Sequence, residues 1–568
     1  MSSPVRLTRR DLLRRSAITA GGLAAASTLG GANPVFAATP PAPVTADNLS
    51  FARVWPATRR QAAALAAFDE THAIHADGSM ELLLWPGDRK RLDALGVDYQ
   101  VFDPHRIGAV AAPGRPSGLP LQPGERTQYR VLADYVTDMQ ALATTHPEQA
   151  RLIHFPEKSL EGRDVYGLEI ADDIEAAQTD GRPTFWIDGA HHSREWPSCE
   201  YTLMFGFDLL ESYGREDRIT DLLSKIRVVI VPVMNPDGFV TSREALYATT
   251  PADQDIPWAI TGTMTGWRKN RRSFTDALYG LGNIRSELNA DAHGVDPNRN
   301  YPFFWGGEGG EAANPTSQTY GGAAPYSEPE SRNIAGGMRS AQVTAYLTNH
   351  TYGRLCMRPW GWTADPSPDN AFQTELGARM CEFTGYRNQI GLSLYPTAGT
   401  SRDWSYGALR TIVYTFEHNT VFHPAYGANI PSTYAMNRPA WLLLAEAAAD
   451  PANHVVITGT VVDAGGAPAG GAEVTLWKSF ETPTAEEVHA KTDGGVSEQI
   501  QTTARTRPDG TFTVHANPST RPHAVMFGWP AEAWTVRFAA GEQSHWTQVV
   551  GDRGDRVDLR TVALAPRD

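Results

Sequence analysis

Residues 185–196 read FWIDGAHHSREW. The apolar run from Phe185 to Ile187 is typical of a strand, and a strand that ends in a loop presents the loop's side chains at its carboxyl end. His192 and Glu195 follow in that loop, three residues apart. A neutral imidazole and a carboxylate at this spacing can bind one Zn²⁺ and leave positions open for a third protein ligand and a water. Taken alone, the segment also fits an ordinary polar loop.

A third metal ligand is expected at the end of another strand. The apolar residues Ala345–Leu347 are followed by His350, which could be such a ligand. A single histidine at a strand end is more often a packed structural residue. The presence of His192 and Glu195 elsewhere in the chain favours the metal-binding interpretation.

Three further segments supply groups that peptide hydrolysis by zinc requires. Trp267–Arg271 holds two guanidiniums three residues apart, and Asp296–Asn300 combines an arginine with an amide. Such groups bind a carboxylate or stabilise an oxyanion. Thr415–Glu417 ends a strand in a carboxylate, which is a candidate general base. Each segment alone would be surface charge, but together they predict a zinc site with an anion clamp and a base.

Composition and length limit the possible classes of protein. With 568 residues the chain is expected to fold into two to four domains. The hydrophobic share is 41% and the charged share 20%, which is typical of a globular protein, and no apolar tract is long enough to span a bilayer. The net charge of −14 argues against nucleic acid as a partner.

The first 37 residues have the pattern of a bacterial export signal. Arg9 and Arg10 form a twin-arginine pair, an apolar stretch covers Ala17 to Ala26, and Val35-Phe36-Ala37 fits a signal peptidase site. We therefore predict cleavage after Ala37 and a secreted or periplasmic protein. A basic N-terminal tail is the alternative.

The rest of the chain divides into segments that differ in hydrophobic periodicity and in Pro and Gly content. Residues 38–108 predict a small α+β module of β-α-β-α-β order, and residues 109–125 a Pro/Gly-rich linker. Residues 126–450 predict an α/β domain, in which Asn235–Gly238 is expected to be a tight turn. Residues 453–568 alternate at period two and predict an antiparallel β-sandwich. The three cysteines imply no disulfide framework, although Cys356 and Cys381 could pair.

The motifs resemble those of the zinc metallocarboxypeptidases (funnelins), the family of pancreatic carboxypeptidases A and B. The resemblance covers roughly residues 127 to 449. The matching segments occur in family order, and Tyr395, Asp403 and Glu417 keep the family spacing. The implied fold is a mixed eight-stranded sheet flanked by helices, with the active site at the carboxyl ends of its strands. The C-terminal sandwich resembles a transthyretin-like or carboxypeptidase regulatory-like domain. The N-terminal module resembles the family's pro-segment in position, so it could shield the active site until the linker is cleaved; a permanent structural domain is the alternative.

The resemblance also implies a role for each motif residue. His192, Glu195 and His350 match the ligands of one Zn²⁺, and Asp296 matches the carboxylate that orients the first histidine. The matches for catalysis are Glu417 as general base and Arg271 as oxyanion stabiliser. The matches for substrate binding are Asn298, Arg299 and Tyr395 on the C-terminal carboxylate, and Arg194 and Arg268 at auxiliary subsites.

Arg402 occupies the position that lies at the floor of the specificity pocket in the family. A cation there should favour a C-terminal Glu or Asp, unless Arg402 is turned away or neutralised by Asp403. The implied protein is a secreted exopeptidase that acts on peptide or protein C-termini. A cell-wall peptidase acting on γ-D-glutamyl peptides, or a non-catalytic binding protein on the same fold, are the alternatives. Longer loops around residues 245–266 and 274–294 could rim the cleft, and His418 stands where the family often has an apolar residue.

Overall fold

The structure, a computed structural model, describes residues 50–65, 68–74, 79–84, 88–102, 126–244, 267–273, 294–315 and 317–566. The predicted export signal, the predicted linker and nearly all of the two predicted cleft loops lie outside these residues. Across the described part, no helix combines the length and the hydropathy that crossing a bilayer requires.

The N-terminal module is a four-stranded antiparallel sheet of order β2-β3-β1-β4 with two short helices. Its elements are β1 (Ser50–Trp55), α1 (Arg59–Leu65), β2 (Asp69–Ile74), β3 (Met80–Leu84), α2 (Asp88–Leu95) and β4 (Asp98–Phe102). The predicted β-α-β-α-β order is therefore wrong by one strand. The sequence of β2, DETHAI, lacks the alternation of apolar and polar residues that marks a half-buried strand.

The middle part of the chain is built on one eight-stranded mixed sheet of order β11-β10-β12-β9-β7-β8-β6-β5. The prediction of such a sheet is confirmed. The strands are β5 (Ala150–His154), β6 (Tyr166–Ile170), β7 (Thr184–Asp188), β8 (Arg227–Val231), β9 (Val343–Thr351), β10 (Leu355–Arg358), β11 (Arg387–Ile390) and β12 (Ile412–His418). Strands β8, β7, β9 and β12 run parallel to one another, so their carboxyl ends meet at one edge.

Helices flank this sheet. They are α3 (Leu132–Thr145), α4 (Trp196–Ser212), α5 (Asp217–Leu223), α6 (Pro236–Arg243), α7 (Pro329–Ser340), α8 (Asn370–Thr384), α9 (Ser401–Leu409) and α10 (Tyr426–Ala449). The tight turn predicted at Asn235–Gly238 is instead the start of α6. The Asn235 side chain accepts a hydrogen bond from the Gly238 amide at 3.1 Å, and Pro236 occupies the first turn. Asparagine caps and early prolines favour helix starts as much as turns.

The central strands are buried on both faces, as the continuous apolar run of β8 predicts. Phe185 and Ile187 belong to the core on one face, which is covered by helices such as α4 and α10. Trp186 belongs to the core on the opposite face, and this second core continues into the C-terminal part of the chain. The alternation follows from the strand geometry, which points successive side chains to opposite faces.

The C-terminal module, residues 454–566, contains a three-stranded sheet of order β16-β13-β19 and a five-stranded sheet of order β15-β14-β17-β18-β20. Its elements are β13 (Val455–Val462), β14 (Glu473–Thr482), α11 (Ala485–Ala490), β15 (Val496–Arg505), β16 (Thr511–Ala516), α12 (Pro522–Phe527), β17 (Trp534–Ala540), β18 (Gln543–Val549), β19 (Arg556–Ala563) and β20 (Ala565–Pro566). The prediction that all pairs are antiparallel is wrong for β13 and β19, which pair in parallel. The chain crosses from one sheet to the other before β19, and such a crossover permits parallel pairing. The three cysteines are free thiols.

Candidate metal centre

Three side chains with metal-binding atoms meet at the carboxyl ends of β7 and β9. The Nδ1 atoms of His192 and His350 lie 3.2 Å apart. The carboxylate oxygens of Glu195 lie 2.7 Å from the first nitrogen and 2.9 Å from the second. A tetrahedral Zn²⁺ with Zn–N bonds of about 2.05 Å requires about 3.3 Å between two ligand nitrogens. The two nitrogens and the carboxylate therefore fit zinc, as predicted, and these three residues form the His/Glu cluster within 4.8 Å in the described part of the chain.

The backbone between β7 and α4 positions two of the ligands. A Cβ at Gly189 would lie 2.7 Å from the carbonyl oxygen of Ser198, so only glycine lets the strand end this close to the helix. Glu195 is the N-cap residue of α4 but makes no side-chain cap. Its Oε2 accepts a hydrogen bond from the Thr351 amide at 3.2 Å, which aims the carboxylate at the two histidines.

The environment keeps both imidazoles neutral. Burial, and then the charge of Arg268, lowers the pKa of His192 to about 4 and that of His350 to about 3. A histidine must be neutral to bind a metal. Both ligands are therefore in the required protonation state at pH 7.

Asp296 lies behind His192, as the sequence predicts. One of its oxygens is 3.3 Å from His192 Nε2, and the other accepts hydrogen bonds from the Arg268 guanidinium at 2.8 and 3.1 Å. Burial alone would raise the pKa of Asp296, but the charges of Arg268 and its neighbours hold it well below the usual range. An ionised carboxylate on the second ring nitrogen fixes the tautomer of a metal-binding histidine.

The ion pair with Asp296 gives Arg268 a role that the sequence did not predict. Arg268 was predicted to bind substrate, but its side chain is 1% exposed and is committed to Asp296. Thr348 was also missed, although its Oγ1 lies 3.2 Å from His350 Nε2. The signal was available, because residues two apart on a strand share a face.

A small cavity opens beside the metal centre. It brings together a zinc ligand, the predicted base and the residues predicted to bind the substrate carboxylate. Its lining consists of His192, Asn298, Arg299, Met357, Gly391, Leu394, Tyr395, Thr397, Thr400, Arg402, Thr415 and Glu417. Glu417 is level with His350 on the neighbouring strand, because β12 and β9 pair in parallel with these two residues opposite each other.

The three residues predicted to bind the substrate carboxylate, Asn298, Arg299 and Tyr395, lie together at this cavity. Arg299 NH2 lies 3.4 Å from the hydroxyl of Tyr395, while Arg299 Nε donates to the carbonyl of Gly309 at 2.8 Å. Asn298 accepts a hydrogen bond from the Ser401 amide at 2.9 Å, which ties it to the start of α9. Arginine with a fixed orientation binds a carboxylate through two parallel hydrogen bonds.

Arg402 also lines the cavity, but it is paired. Its Nε donates to Asp403 at 2.9 Å, and its NH2 donates to Thr397 at 3.2 Å. A Cβ at Gly391 would lie 2.1 Å from the guanidinium, so the missing side chain makes room for it. The sequence analysis named Asp403 as a possible neutralising partner, and the structure contains that ion pair.

Arg271 and Arg194 are not among the residues that line the cavity. The Arg271 guanidinium lies over the Trp267 ring, 4.6 Å from its centroid, and 3.4 Å from a Glu161 oxygen. Arg194 is buried and lies over the Phe422 ring at 4.4 Å. Their predicted roles as oxyanion stabiliser and subsite residue stay predictions.

Comparisons with known proteins agree with this geometry. The family profile described as zinc carboxypeptidase matches residues 135–435. Mouse carboxypeptidase A1 is 28% identical over 299 residues, which cover 51% of this chain and 62% of that protein. Carboxypeptidase B of the crayfish Astacus astacus is 31% identical over 278 residues, which cover 47% of this chain and 78% of that protein.

A solved structure supports the fold. The crystal structure of carboxypeptidase A from Helicoverpa armigera superposes with a TM-score of 0.54 and 20% identity, covering 71% of this chain and 97% of that one. The chain spans less than two thirds of the mouse relative, so the match is to part of that protein. The profile match, the crayfish relative and the His-Glu-His cluster together show that the chain belongs to the zinc carboxypeptidase family.

Proposed function

We propose that this chain is a zinc-dependent exopeptidase that releases the C-terminal amino acid of peptides. The observation that carries this proposal is the single cavity in which His192, Glu417 and Arg299 meet. An internal peptide bond has no carboxylate to offer Arg299, so the clamp selects chain ends. The distance between clamp and metal centre then sets which bond is cut.

Each residue of the site has its own role in the proposed hydrolysis. When bound to the three ligands, Zn²⁺ lowers the pKa of a water to about 7 and polarises the scissile carbonyl. Glu417 takes the proton of the attacking water and passes it to the leaving amine. Asn298, Arg299 and Tyr395 hold the substrate carboxylate. Arg271 would stabilise the developing oxyanion after leaving Glu161, which requires the movement of a partly exposed side chain.

Hydrolysis of blocked dipeptides ending in Glu, Arg, Phe or Leu tests the proposal. Release of the terminal residue should stop when phenanthroline removes the metal and resume when Zn²⁺ is restored. If none of these substrates is cleaved by the zinc-loaded protein after removal of the N-terminal module, the exopeptidase proposal is wrong. Cleavage of γ-D-glutamyl peptides instead would identify a cell-wall peptidase.

We also propose a preference for acidic C-terminal residues, for which Arg402 is responsible. This proposal is supported by the position of Arg402, which is 4% exposed and lines the same cavity as the predicted clamp residues. Its partner Asp403 offsets part of the charge, so the preference should be moderate, about tenfold for Glu over Phe.

Arg402→Asp should reverse this preference toward C-terminal Lys or Arg, because two carboxylates would then face the cavity. The measurement is kcat/KM for the four dipeptides. Gly391→Ala is the matched probe, since its methyl group displaces the guanidinium without changing any charge. A wild-type enzyme that prefers Phe or Leu to Glu would contradict the assignment but leave the exopeptidase proposal standing.

A further inference from the structure

The substrate cavity rests on the C-terminal module. The second face of the central sheet shares one continuous apolar core with that module, through residues such as Trp404 on the sheet side and Val474 in the module. Helix α9, which carries Arg402 and Asp403, lies at this junction. The module is thus in contact with the element that shapes the cavity floor.

Glu498 makes the most specific of these contacts. It is on β15, its side chain is 0% exposed, and it reaches out of the C-terminal module into the middle of the chain. Its carboxylate accepts hydrogen bonds from Tyr326 at 2.8 Å, Arg339 at 2.7 Å and the Trp404 indole at 3.0 Å. Thr482 donates a fourth from within the module.

The Trp404 contact fixes α9 near its first turn. Trp404 directly follows Asp403 and is fully buried, and its ring stacks on Tyr301 at a centroid distance of 5.3 Å. The start of α9 is in turn hydrogen-bonded to the cavity lining, since the Ser401 amide donates to the side chain of Asn298. A shift of Trp404 would therefore move Arg402 and loosen Asn298.

A second contact fixes the other end of α9. Arg410, its C-cap residue, donates to the Thr520 carbonyl at 3.1 Å and lies 3.0 Å from an Asp552 oxygen. The loop after Arg299 is also bound to the module, because the Phe304 amide donates to the Pro483 carbonyl at 3.0 Å. The module therefore supports both the helix that carries Arg402 and the loop that follows the clamp residue Arg299.

We infer that the C-terminal module positions the pocket for the substrate's terminal side chain, with Glu498 as the positioning residue. The inference rests on the proposed exopeptidase function. Glu498 touches no substrate; it acts by holding Trp404, and through Trp404 the floor of the cavity. Buried networks in which every donor and acceptor is satisfied specify one arrangement of the groups they join.

The test uses the full chain with the substitutions Glu498→Gln and Trp404→Phe. Each weakens or removes the bond to α9, and Trp404→Phe does so while leaving the other partners of Glu498 in place. Blocked dipeptides ending in Glu, Phe or Gly are the probes. We expect kcat/KM for the preferred side chain, relative to Gly, to fall about threefold to tenfold, the range for the loss of one typical hydrogen bond. The loss should appear in KM, with kcat for the Gly substrate unchanged.

Glu473→Gln is the matched control, because Glu473 lies in the same module and pairs there with Arg537. It should leave the selectivity ratio unchanged. An unchanged ratio in both test variants, even with a lower Tm, would overturn the inference, and so would an equal change in the control. If the wild type hydrolysed nothing, the proposed function would fail, and the Kd of N-acetyl-glutamate measured by calorimetry on the same variants would still decide the role of Glu498.

Discussion

Glu417 has the position that a general base needs. It is buried, it lines the cavity, and it is level with His350 on the adjacent strand. Glu417→Gln keeps the size of the side chain but removes the proton acceptor. We expect kcat to fall by about a hundredfold or more, because general base catalysis contributes about that much. Steady-state kinetics and the zinc content measured on the same sample check this.

The variant should retain zinc, since Glu417 is not one of the three clustered ligands. Glu446→Gln is a suitable control, because Glu446 is a half-exposed residue of α10 that pairs with Arg218. Near-normal turnover by Glu417→Gln would refute the assignment of the base.

Asp296 should matter for metal affinity rather than for the chemical step. Asp296→Asn removes the negative charge that faces His192 Nε2 and leaves Arg268 buried without its anion. We expect zinc affinity to fall about tenfold to a hundredfold, as is typical for partners of metal-binding histidines. Competition with a chromophoric chelator measures the change. At saturating zinc, kcat should largely recover, and a permanent loss of kcat would point to a different role.

The identity of the site residues could be read from the sequence, whereas their partners could not. His192, Glu195 and His350 were predicted from residue type and strand-end position, and they cluster as expected. Arg268 was assigned to an auxiliary substrate subsite because its position matches such an arginine in the family. Its commitment to Asp296 depends on a contact across 28 residues of chain, which no local pattern encodes.

At the level of strands and helices, apolar runs predicted four of the eight strands of the central sheet, β7, β8, β9 and β12, but not their order. Strands β7, β9 and β12 are adjacent and parallel, and only this arrangement brings the loops after them to one place. The polar strand β2 and the helix α6 were missed. In both cases the local signal was ambiguous, and tertiary pairing or packing decided the outcome.

Two paired histidines, His454 directly before β13 and His515 on β16, should make the protein sensitive to acid. His454 Nε2 lies 2.5 Å from His515 Nδ1, and burial lowers their pKa values to about 3 and about 4. Unfolded histidines take up protons near pH 6.5, so the unfolded state binds more protons than the folded state below that pH. This contribution to stability is complete above about pH 6.5 and is lost as the pH falls toward 4.

We expect Tm to decrease over that interval, and to decrease less steeply in His454→Gln, measured by calorimetry at a series of pH values. His489→Gln provides the control, because His489 is exposed on α11. If Tm decreases with falling pH as steeply in His454→Gln as in the wild type, other groups cause the acid sensitivity.

Across the molecule, the N-terminal module is packed beside the substrate cavity. Its residues Val54 and Leu82 share an apolar cluster with Met357, Leu394 and Tyr395, all three of which line the cavity. This contact supports the proposal that the module shields the site until it is removed. A permanent structural module is the alternative that the sequence left open.

Cleavage within residues 109–125 should therefore raise activity severalfold. Limited proteolysis of the full chain, with activity and fragment masses followed over time, measures this. Protein incubated with inhibited protease is the control. Activity that stays constant after complete cleavage and separation of the module would support the structural alternative. Export by the twin-arginine route stays a prediction, since it rests on residues outside the described part of the chain.

The sequence by itself identified the zinc ligands and the family, and it predicted the base and the carboxylate clamp. It could do so because metal binding and proton transfer depend on residue types, and these occur at short, recognisable spacings. Only the tertiary structure decided that Arg268 binds Asp296 and that Glu498 reaches Trp404 on α9. Such contacts join residues far apart in sequence, and they form because burying a charge requires a partner, wherever in the chain that partner lies.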